Sequence, residues 1–401
     1  MKQRRILILT DSIAPPAYAP RIVSLTRYLS ARGEKVVVFS DCEKGVQPFT
    51  DACGQWENTA YYQTGNQQWK YIADKLFGQR ERAFQTYIET TVNVADFDVI
   101  FCSTYYYFPL QTTFRLARKY NKPFVVDLRD IAEQWGDIPY RTHSLSPVRW
   151  VNTWLHRAYT ALNIRKRNRV LKAANQVITI STWHQQFLER ITKPVHLIYN
   201  GFDEQEFYPK DLRSDTFIIS YTGKIYDLSF RDPRLLFEAM QQLIAKQQLD
   251  TSKIQIRFHI DQASIIPLQQ LAAQYGLTNN CRIEGYIPKS ELLPLLHRSS
   301  ILLVLTSKST PQGAHGIMGT KIYEAMGVGK PVLCVRSDEE CLEQVITQTN
   351  AGLAGKKVEE VADFILAKYA EWQQNGFTRQ PIQNQQIFSR QYQSSQIEAL
   401  L

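Results

Sequence analysis

The sequence predicts an α/β protein with two doubly wound parallel sheets, and two observations support this prediction. Short apolar runs alternate with stretches of helical periodicity, and each apolar run is continuous instead of alternating with polar residues. Continuous apolar runs are typical of strands that are buried on both faces of a parallel sheet. The chain also has 401 residues, which is too long for one ordinary hydrophobic core. Two domains of about 200 residues are therefore the expected arrangement.

The first half of the chain contains six apolar runs that we interpret as strands. They are RRILILT, KVVVFSD, DVIFCST, PFVVDLRD, QVITIS and VHLIYNG. After the first run, a helical stretch that starts at Arg21 places Ile22, Leu25 and Leu29 on one face, and Gly33 ends it. A strand–helix–strand order of this kind predicts a Rossmann-like parallel sheet.

The second half repeats this architecture without repeating the sequence. Its runs are FIISYTG, IQIRFHI, CRIEGY, ILLVLTS and PVLCV. A polar, proline-containing stretch around Tyr208 has no apolar periodicity, so we predict domains at 1–208 and 209–383. The tail IFSRQYQSSQIEALL predicts a helix within 384–401 that packs back toward the first domain. Two such domains would face each other across a cleft, with ligands at the carboxyl ends of the strands.

The composition limits the classes of partner. The net charge of +9 favours an anionic partner, which includes nucleic acid, anionic lipid and phosphorylated substrates. The sequence has no zinc-finger spacing, RNA-recognition signature or basic low-complexity tail, so nucleic acid is disfavoured. The six cysteines are scattered without a C-x2-C pair, which disfavours zinc and a disulfide framework. Reduced thiols in a cytoplasmic protein fit this pattern best.

The segment HGIMGTKIYEAMGVGKPVLCV contains the Gly-Lys pair of a phosphate-binding loop, but two of that loop's four defining positions fail. If Gly329 and Lys330 were the pair, the first glycine of the loop would stand where Glu324 is. The position of the required hydroxyl is occupied by Pro331. The pair therefore predicts a helix end before a strand, where glycines supply left-handed turns.

The helix before that end begins near Thr320, a candidate cap, and its first turn carries candidate ligand-binding groups. Lys321 and Glu324 are three residues apart and share a face, which allows an exposed ion pair. The preceding loop, with Gly316 and Gly319, would expose backbone N–H groups to an anion or a hydroxylated ligand. A carboxylate one turn into a helix can also accept two hydrogen bonds from a ribose diol. Both interpretations, ion pair and nucleotide site, stay open at this point.

These residues resemble a known family. The stretch GTKIYEAMGVGKPVL is similar to the carboxyl-domain motif of nucleotide-sugar-dependent glycosyltransferases of the GT-B fold, especially family 4. Four other pieces resemble the same family in the correct order: ANQVITISTWHQQFL, YNGFDEQEFYP, ISYTGKIYDLSFRDPRLLFEAM and EGYIPKSELLPLLHRSSILLVLTS. The resemblance covers most of the chain. It implies an acceptor-binding domain at 1–208, a donor-binding domain at 209–383 and a retaining transfer reaction.

The resemblance also implies roles for residues of the second domain. The family's second motif glutamate falls on Glu324, with a ribose-binding role, and its first, which contacts donor-sugar hydroxyls, falls on Gly316. A subset of relatives has a lysine where Lys321 stands, and the basic pair that neutralises the donor diphosphate matches Lys224 and Arg231. The complete set of expected donor-binding residues is Lys224, Arg231, Tyr286, Ile287, Gly316, Gly319, Thr320, Lys321 and Glu324.

The DLRD stretch closes the strand PFVVDLRD, so its charged residues are expected at the carboxyl end of that strand. We predict that Asp130 binds the acceptor or removes its proton, and that Arg129 and Lys224 complete the catalytic set. Arg21 and Asp127 are predicted to bind the acceptor. A buried arginine–aspartate pair that only orders the loop is an equal alternative for DLRD.

The DFD stretch formed by Asp96 and Asp98 imitates the D-x-D metal site of the other large glycosyltransferase fold. It precedes the strand VIFCST, so we expect it at the amino end of that strand and interpret it as a strand-entry turn. The resemblance implies that lysine and arginine neutralise charge in place of a metal ion. We therefore predict that no metal and no other cofactor takes part.

Residues 149–172 form a basic amphipathic stretch that includes Trp150, Trp154, Leu155 and Leu162. One interpretation is a helix that packs on its own domain. The other is contact with an anionic membrane surface, at the inner face of the membrane, which suits the lipid-linked acceptors common in the family.

Taken together, the sequence predicts transfer of a sugar from a nucleoside diphosphate sugar to a hydroxyl acceptor. The expected acceptor is a glycan or a lipid-linked intermediate of surface polysaccharide or glycolipid synthesis. Two alternatives keep the fold. One is a nucleotide-sugar epimerase or hydrolase. The other is an inactive partner subunit, because Gly316 replaces an expected carboxylate.

Overall fold

The computed structural model describes residues 3–11, 20–41, 47–59, 78–136, 148–225 and 227–401. The chain divides into two compact units. The first contains the described residues up to Tyr199 together with 312–314 and 390–401, and the second contains Asn200–Pro311 and His315–Ser389. In this division, residues 200–208 belong to the second unit.

The first unit is built on a seven-stranded parallel sheet. Its strands are β1 (Arg5–Thr10), β2 (Lys35–Asp41), β3 (Gln55–Thr59), β4 (Val99–Thr104), β5 (Phe124–Leu128), β6 (Gln176–Thr179) and β7 (Val195–Leu197). They lie in the order β3-β2-β1-β4-β5-β6-β7, as in a doubly wound sheet. The accompanying helices are α1 (Pro20–Ala31), α2 (Gln79–Thr91), α3 (Leu110–Tyr120), α4 (Arg149–Ala173) and α5 (Thr182–Leu188).

Strand β1 shows why the apolar runs of this unit are continuous. Ile6 and Ile8 pack with Leu25 of α1 on one side of the sheet. Leu7 and Leu9 point to the other side and join a separate apolar cluster. Because both faces are covered, the four central positions, 6–9, are all apolar.

The second unit is built on a six-stranded parallel sheet in the order β10-β9-β8-β11-β12-β13. Its strands are β8 (Phe217–Thr222), β9 (Ile254–His259), β10 (Cys281–Glu284), β11 (Ile301–Leu305), β12 (Val332–Val335) and β13 (Gly352–Gly355). Its helices are α6 (Arg234–Ala245), α7 (Gln262–Gln274), α8 (Lys289–Arg298), α9 (Lys321–Val328), α10 (Cys341–Thr349) and α11 (Val358–Asn375). The prediction of two doubly wound parallel sheets is thus confirmed.

Two of the described strands were not predicted from the sequence, and both lie at sheet edges. Strand β3 has the polar sequence QWENT, and β13 reads GLAG, so neither contains an apolar run. Strand β13 depends on its first glycine. Gly352 has a φ of +152°, and a Cβ there would lie 1.9 Å from the carbonyl oxygen of Val332. Only glycine allows β13 to approach β12 this closely.

The last helix, α12 (Arg390–Glu398), returns to the first unit and packs on α1. Glu398 accepts hydrogen bonds from Tyr28 Oη at 3.2 Å and from Arg32 Nε at 2.9 Å. Ile397 is buried in the same apolar cluster as Leu29 of α1. The tail is therefore held by apolar packing and by an ion pair.

Helix α9 is covered by the segment that precedes β8. A Cβ at Gly327 would lie 2.7 Å from Cβ of Phe207 and 2.8 Å from the ring of Phe202. The helix ends at Gly329, which adopts the left-handed conformation with a φ of +68°. Glycine at position 327 is therefore required for close packing, and glycine at position 329 for the turn into β12.

Candidate functional site

The first turn of α9 carries an ion pair between the two side chains selected from the sequence. Lys321 Nζ donates to Glu324 Oε2 at 3.0 Å and to Oε1 at 3.3 Å. The two side chains are 33% and 17% exposed. Thr320 precedes the helix, but its side chain makes no capping hydrogen bond. An ion pair at this spacing contributes only about 0.2–0.5 kcal/mol to stability. The fold therefore does not depend on these two charges.

The carboxyl end of β8 lies beside this turn. Gly223 follows β8, and a Cβ there would lie 3.6 Å from Cε of Lys321. The next residue, Lys224, is exposed. Arg231 donates from Nη1 to the carbonyl oxygen of Lys224 and, at 3.0 Å, to Tyr221 Oη. Arg231 thereby holds the loop that carries Lys224, and the structure brings both predicted cations and Lys321 to one strand end.

The loop of Lys224 is also fastened to the end of β9. The backbone N–H of Ile225 donates to Asp261 Oδ1 at 2.8 Å. Burial raises the pKa of Asp261, but hydrogen bonds from Ser264 and from the Ile225 N–H outweigh burial and leave the pKa below its usual value. Asp261 is therefore an ionised acceptor at neutral pH that fixes this loop.

The glycines before α9 differ in their surroundings. Gly316 is buried and has a φ of +62°, in the left-handed region that favours glycine. Gly319 has no atom of the described chain within 4 Å of the place of a Cβ, so open space faces it. A ligand at the start of α9 would therefore find room beside Gly319.

Two of the predicted donor-binding residues follow β10. Tyr286 is 62% exposed, and Ile287 is partly buried. Strand β10 lies at one edge of the sheet, separated from β8 by β9. Tyr286 and Ile287 are therefore placed at the same edge of carboxyl strand ends as Lys224 and Glu324.

The side chain of Lys330 has a structural role and does not act as the lysine of a phosphate-binding loop. Its side chain is buried, and its Nζ donates to the carbonyl oxygen of Thr378 at 3.1 Å. Burial lowers the pKa of Lys330 to about 8, although Asp211 and Glu371 nearby act in the opposite direction. Lys330 therefore ties the turn before β12 to a distant segment of the same unit.

In the first unit, Arg21 and Asp127 are bound to each other. Arg21 donates from Nε and Nη2 to the two oxygens of Asp127, each at 3.1 Å. Its Nη1 donates to the carbonyl oxygen of Tyr199 at 2.7 Å, and Ser103 Oγ donates to Asp127 at 2.8 Å. Arg21 is 7% exposed and Asp127 is fully buried. This buried pair joins α1, β4 and β5, so both charges already have a structural partner.

Arg129 is also engaged in a buried pair. Its guanidinium bonds Asp11 and stacks on Tyr105, with 3.8 Å between its Cζ and the ring centroid. Asp11 in turn accepts from the backbone N–H of Tyr105 at 2.8 Å. Arg129 is 4% exposed. Its charge therefore orders the end of β5 beside Asp130.

Asp130 differs from Asp127 and Arg129 because its side-chain hydrogen bond comes from a neutral residue, which is in turn bonded to a second side chain. Gln134 Nε2 donates to Asp130 Oδ1 at 3.1 Å, and Gln134 Oε1 lies 2.7 Å from Nε2 of the buried His184. Burial raises the pKa of Asp130 to about 6, while Gln134 and Arg129 act against this rise. Burial, with Arg167 nearby, lowers the pKa of His184 to about 3. Asp130 is therefore the side chain of DLRD whose protonation changes near neutral pH.

The aspartates of the DFD stretch contact the start of β1. Asp98 Oδ2 accepts from the backbone N–H of Arg5 at 2.7 Å, and Asp96 Oδ2 lies 3.3 Å from Arg5 Nη1. Asn93 Nδ2 donates to Asp96 Oδ1 at 3.0 Å. These contacts are those of a turn that enters β4. In the part of the chain that the structure describes, no three His, Cys, Asp or Glu residues are grouped as metal ligands.

The two ends of helix α4 differ in burial. Near its carboxyl end, Val170 and Leu171 are buried, and Arg167 forms a bidentate pair with Glu133 at 2.7 Å for each bond. Near its amino end, Trp150 and Trp154 are 74% and 64% exposed. No helix within the described ranges is long and apolar enough to cross a membrane.

Sequence reasoning missed two groups of polar residues around these sites. One is Gln134 with His184, whose link requires the fold to bring α5 to the turn after β5. The other is His315 with Glu340, which share a hydrogen bond of 2.8 Å near Gly316. The run of charged residues after the buried strand PVLCV was the signal that could have indicated Glu340.

Two family models match the chain. The model described as Glycosyltransferase Family 4 matches residues 20–206, and the one described as Glycosyl transferases group 1 matches residues 209–373. Together they span most of the chain and one Rossmann-like domain each, so the protein is a transferase enzyme of the glycosyltransferase class. It belongs to the family 4-like glycosyltransferases of the GT-B fold. A search of curated proteins finds no match.

Solved structures with the same fold have little sequence in common with this chain. Anabaena Alr3699/HepE, in complex with UDP and glucose, is 17% identical with a TM-score of 0.62, and 99% of each chain is covered. Sucrose-phosphate synthase from Thermosynechococcus elongatus is 16% identical with a TM-score of 0.65, over 99% of this chain and 98% of the other. A glycosyltransferase from Rickettsia africae is 12% identical with a TM-score of 0.65, over 100% and 98%. At such identities, these likenesses concern the fold.

Proposed function

We propose that this enzyme moves a sugar from a nucleoside diphosphate sugar to a hydroxyl acceptor with retention of configuration. The observation that carries the proposal is the meeting of two elements of the second unit. Lys321 and Glu324 begin α9, and Gly223 and Lys224 end β8 beside them. A carboxylate in this place can accept hydrogen bonds from a ribose diol. The exposed ammonium group of Lys224 can stabilise the charge that develops on the leaving diphosphate.

The nucleotide of the donor is proposed to be uridine diphosphate. The support comes from Anabaena Alr3699/HepE, whose structures contain UDP, UDP with glucose, or UDP-glucose. In this chain, Tyr286 is exposed after β10 and is the proposed contact of the base. Charge neutralisation by Lys224 and Arg231 requires no metal, so turnover is expected to survive an excess of chelator.

The acceptor side of the reaction is proposed to use Asp130. Asp127 is paired with Arg21, and Arg129 is paired with Asp11, whereas Asp130 accepts a hydrogen bond from the neutral side chain of Gln134. Its pKa near 6 leaves it ionised at neutral pH and able to accept a proton from an acceptor hydroxyl. Arg21 and Asp127 are assigned to the structure of the unit instead.

The proposed acceptor is a lipid-linked glycan at a membrane surface, and the exposed end of α4 supports this part of the proposal. Trp150 and Trp154 line a shallow depression with Thr153 and Arg157. Exposed tryptophans next to a cation are typical of segments that lie in the headgroup region of anionic membranes. The net charge of +9 also favours binding to an anionic membrane surface.

Vesicle flotation tests this membrane contact. Binding to phosphatidylglycerol vesicles is expected to exceed binding to phosphatidylcholine vesicles and to fall at least fivefold in the W150A/W154A variant. Ile266→Ala is the matched control, because Ile266 is 64% exposed in the second unit. Equal flotation of all three proteins would remove the membrane contact from the proposal.

Donor consumption tests the proposed reaction. UDP release from UDP-sugars is measured with and without simple alkyl glycosides or lipid-linked glycans as acceptors. The proposal expects release to depend on the acceptor. Release at the same rate without any acceptor would indicate a hydrolase, and conversion of the donor sugar without UDP release would indicate an epimerase. Failure to bind any nucleotide would favour an inactive partner subunit.

A further inference from the structure

The residue at position 316 has no side chain, yet a carboxylate from another loop lies against it. The backbone N–H of Gly316 donates to Glu340 Oε2 at 2.7 Å. Because Gly316 has a φ of +62°, a glutamate at this position would be strained. The carboxylate found at this place is therefore supplied by the loop after β12, and not by the segment that leads into α9.

The carboxylate of Glu340 is held by three donors. His315 Nδ1 lies 2.8 Å from Oε1, and Ser309 Oγ donates to Oε2 at 3.3 Å, in addition to the bond from Gly316. The backbone of Glu340 is fixed as well, since its N–H donates to Asp338 Oδ1 at 3.1 Å. A group held in this way needs little reorganisation when a ligand arrives.

Glu340 keeps the capacity to accept one more hydrogen bond. A carboxylate offers about four lone-pair sites, two on each oxygen. Oε2 is contacted by Gly316 and Ser309, whereas Oε1 is contacted by His315. The side chain of Glu340 is 23% exposed, and that of His315 is 20% exposed. The carboxylate therefore keeps both acceptor capacity and partial exposure to solvent.

The position of Glu340 in the sheet relates it to the donor site. Strands β11 and β12 are parallel neighbours, so their carboxyl ends lie at the same edge. Gly316 and Glu324 both follow β11, and Glu340 follows β12. Ligands of doubly wound sheets bind at this edge. If the ribose binds at Glu324, the sugar attached to the diphosphate would lie along the same edge of the sheet, where Glu340 is also located.

We propose that Glu340 accepts a hydrogen bond from a hydroxyl group of the donor's sugar ring and so contributes to sugar specificity. The inference rests on the proposed function, because it requires a nucleotide sugar in the second unit. It adds a residue that the motif of α9 does not contain. His315 orients the carboxylate, and Gly316 leaves room for it.

The test compares ligands with and without a sugar. Affinities for UDP and UDP-glucose, and for GDP and GDP-mannose, are measured by calorimetry for wild type, Glu340→Ala and Glu340→Gln. In the pair that wild type binds, Glu340→Ala is expected to weaken the nucleotide sugar about tenfold or more and to leave the free nucleotide within twofold. Glu340→Gln keeps the shape and is expected to lose less.

Glu339→Gln is the matched control. Glu339 is the neighbouring carboxylate and pairs with Lys308 at 2.9 Å, and its substitution is expected to leave both affinities unchanged. If Glu340→Ala weakens UDP and UDP-glucose equally, its role is structural and the inference is wrong. The inference is equally wrong if the variant binds both as wild type does. If wild type binds no nucleotide of either pair, the proposed function fails first and this inference fails with it.

Discussion

Each unit contains a close pair of oppositely charged residues, one between α1 and β5 and the other in the first turn of α9, but the two pairs have different surroundings. In the first unit, Arg21 and Asp127 are 7% and 0% exposed and share two hydrogen bonds. In the second unit, Lys321 and Glu324 are 33% and 17% exposed and form a single-turn ion pair. A buried pair must stay intact because each charge needs its partner, whereas a partly exposed pair can exchange its partner for a ligand.

This difference separates structural charges from functional ones. The same residue types, at comparable places in two similar sheets, were predicted to bind substrate in both units. We interpret the buried pairs of Asp127 and Arg129 as mainly structural, and Asp130 as the exception because its hydrogen bond comes from Gln134 and not from an arginine. Partial exposure leaves those of α9 free to serve binding. The following four predictions test this division, from the largest expected effect to the smallest.

Asp127→Ala is expected to cause the largest loss of stability. It leaves the buried guanidinium of Arg21 without its carboxylate, which typically costs about 3–5 kcal/mol. Urea denaturation measures the change. The control is the double variant Arg21→Met with Asp127→Leu, which removes both charges and should recover most of the loss. A loss below about 1 kcal/mol in the single variant would contradict the structural assignment.

Lys330→Met is expected to alter the pH dependence of stability. The pKa of Lys330 is lowered to about 8 in the fold, so the unfolded chain binds more protons than the fold between about pH 8 and 10.5. The free energy of unfolding of wild type should therefore rise relative to Lys330→Met across this window, by a total of about 3 kcal/mol. Denaturation of both proteins at several pH values measures the difference. A difference that does not change with pH would mean that the fold does not lower the pKa of Lys330.

Glu324→Ala and Lys224→Ala are each expected to reduce turnover at least tenfold, or about 1.4 kcal/mol of transition-state stabilisation. The free energy of unfolding should change by no more than about 0.5 kcal/mol, because the ion pair of α9 is partly exposed. Lys368→Ala is the control, since Lys368 and Glu371 form a pair of the same spacing and the same 3.0 Å distance in α11. Near wild-type turnover in both variants would remove these residues from the site.

The pH dependence of turnover is expected to report Asp130. Because burial raises its pKa to about 6, the rate should be half-maximal near pH 6 and fall about tenfold per pH unit below it. Gln134→Leu removes a hydrogen bond that lowers this pKa, so the midpoint should move to higher pH. A pH profile that is identical in wild type and Gln134→Leu would show that another group titrates.

The clearest sequence signals came from the central strands, which are buried on both faces. Strands such as β1 and β12 have continuous apolar runs, ILIL and VLCV, because both of their faces are covered, and these runs leave a clear signal. The edge strands β3 and β13 are not under this constraint, and neither was predicted. The signal for β13 was a glycine, Gly352, whose requirement becomes visible only when β12 lies beside it.

In the candidate sites, too, local features could be predicted, whereas contacts between residues far apart in the chain could not. The motif of α9 is local, so the ion pair of Lys321 and Glu324 could be predicted from their spacing, and the resemblance to the family added the expected role of Glu324. The partners of Asp127 and Asp130 come from elements far apart in the chain, namely Arg21 of α1 and His184 of α5 through Gln134. No periodicity of the sequence records such contacts. Glu340 was missed for the same reason, because its loop reaches Gly316 only in the folded sheet.

The most direct test of the central claim is thermal unfolding with UDP, GDP, dTDP, ADP and CMP, for wild type and Glu324→Ala. A ligand at about 100 times its dissociation constant stabilises the fold by about 2.7 kcal/mol, which is a clear shift of the melting temperature. We predict that one nucleotide, UDP, stabilises wild type and not Glu324→Ala. An equal shift in both proteins, or no shift with any nucleotide, would contradict a donor site at the start of α9.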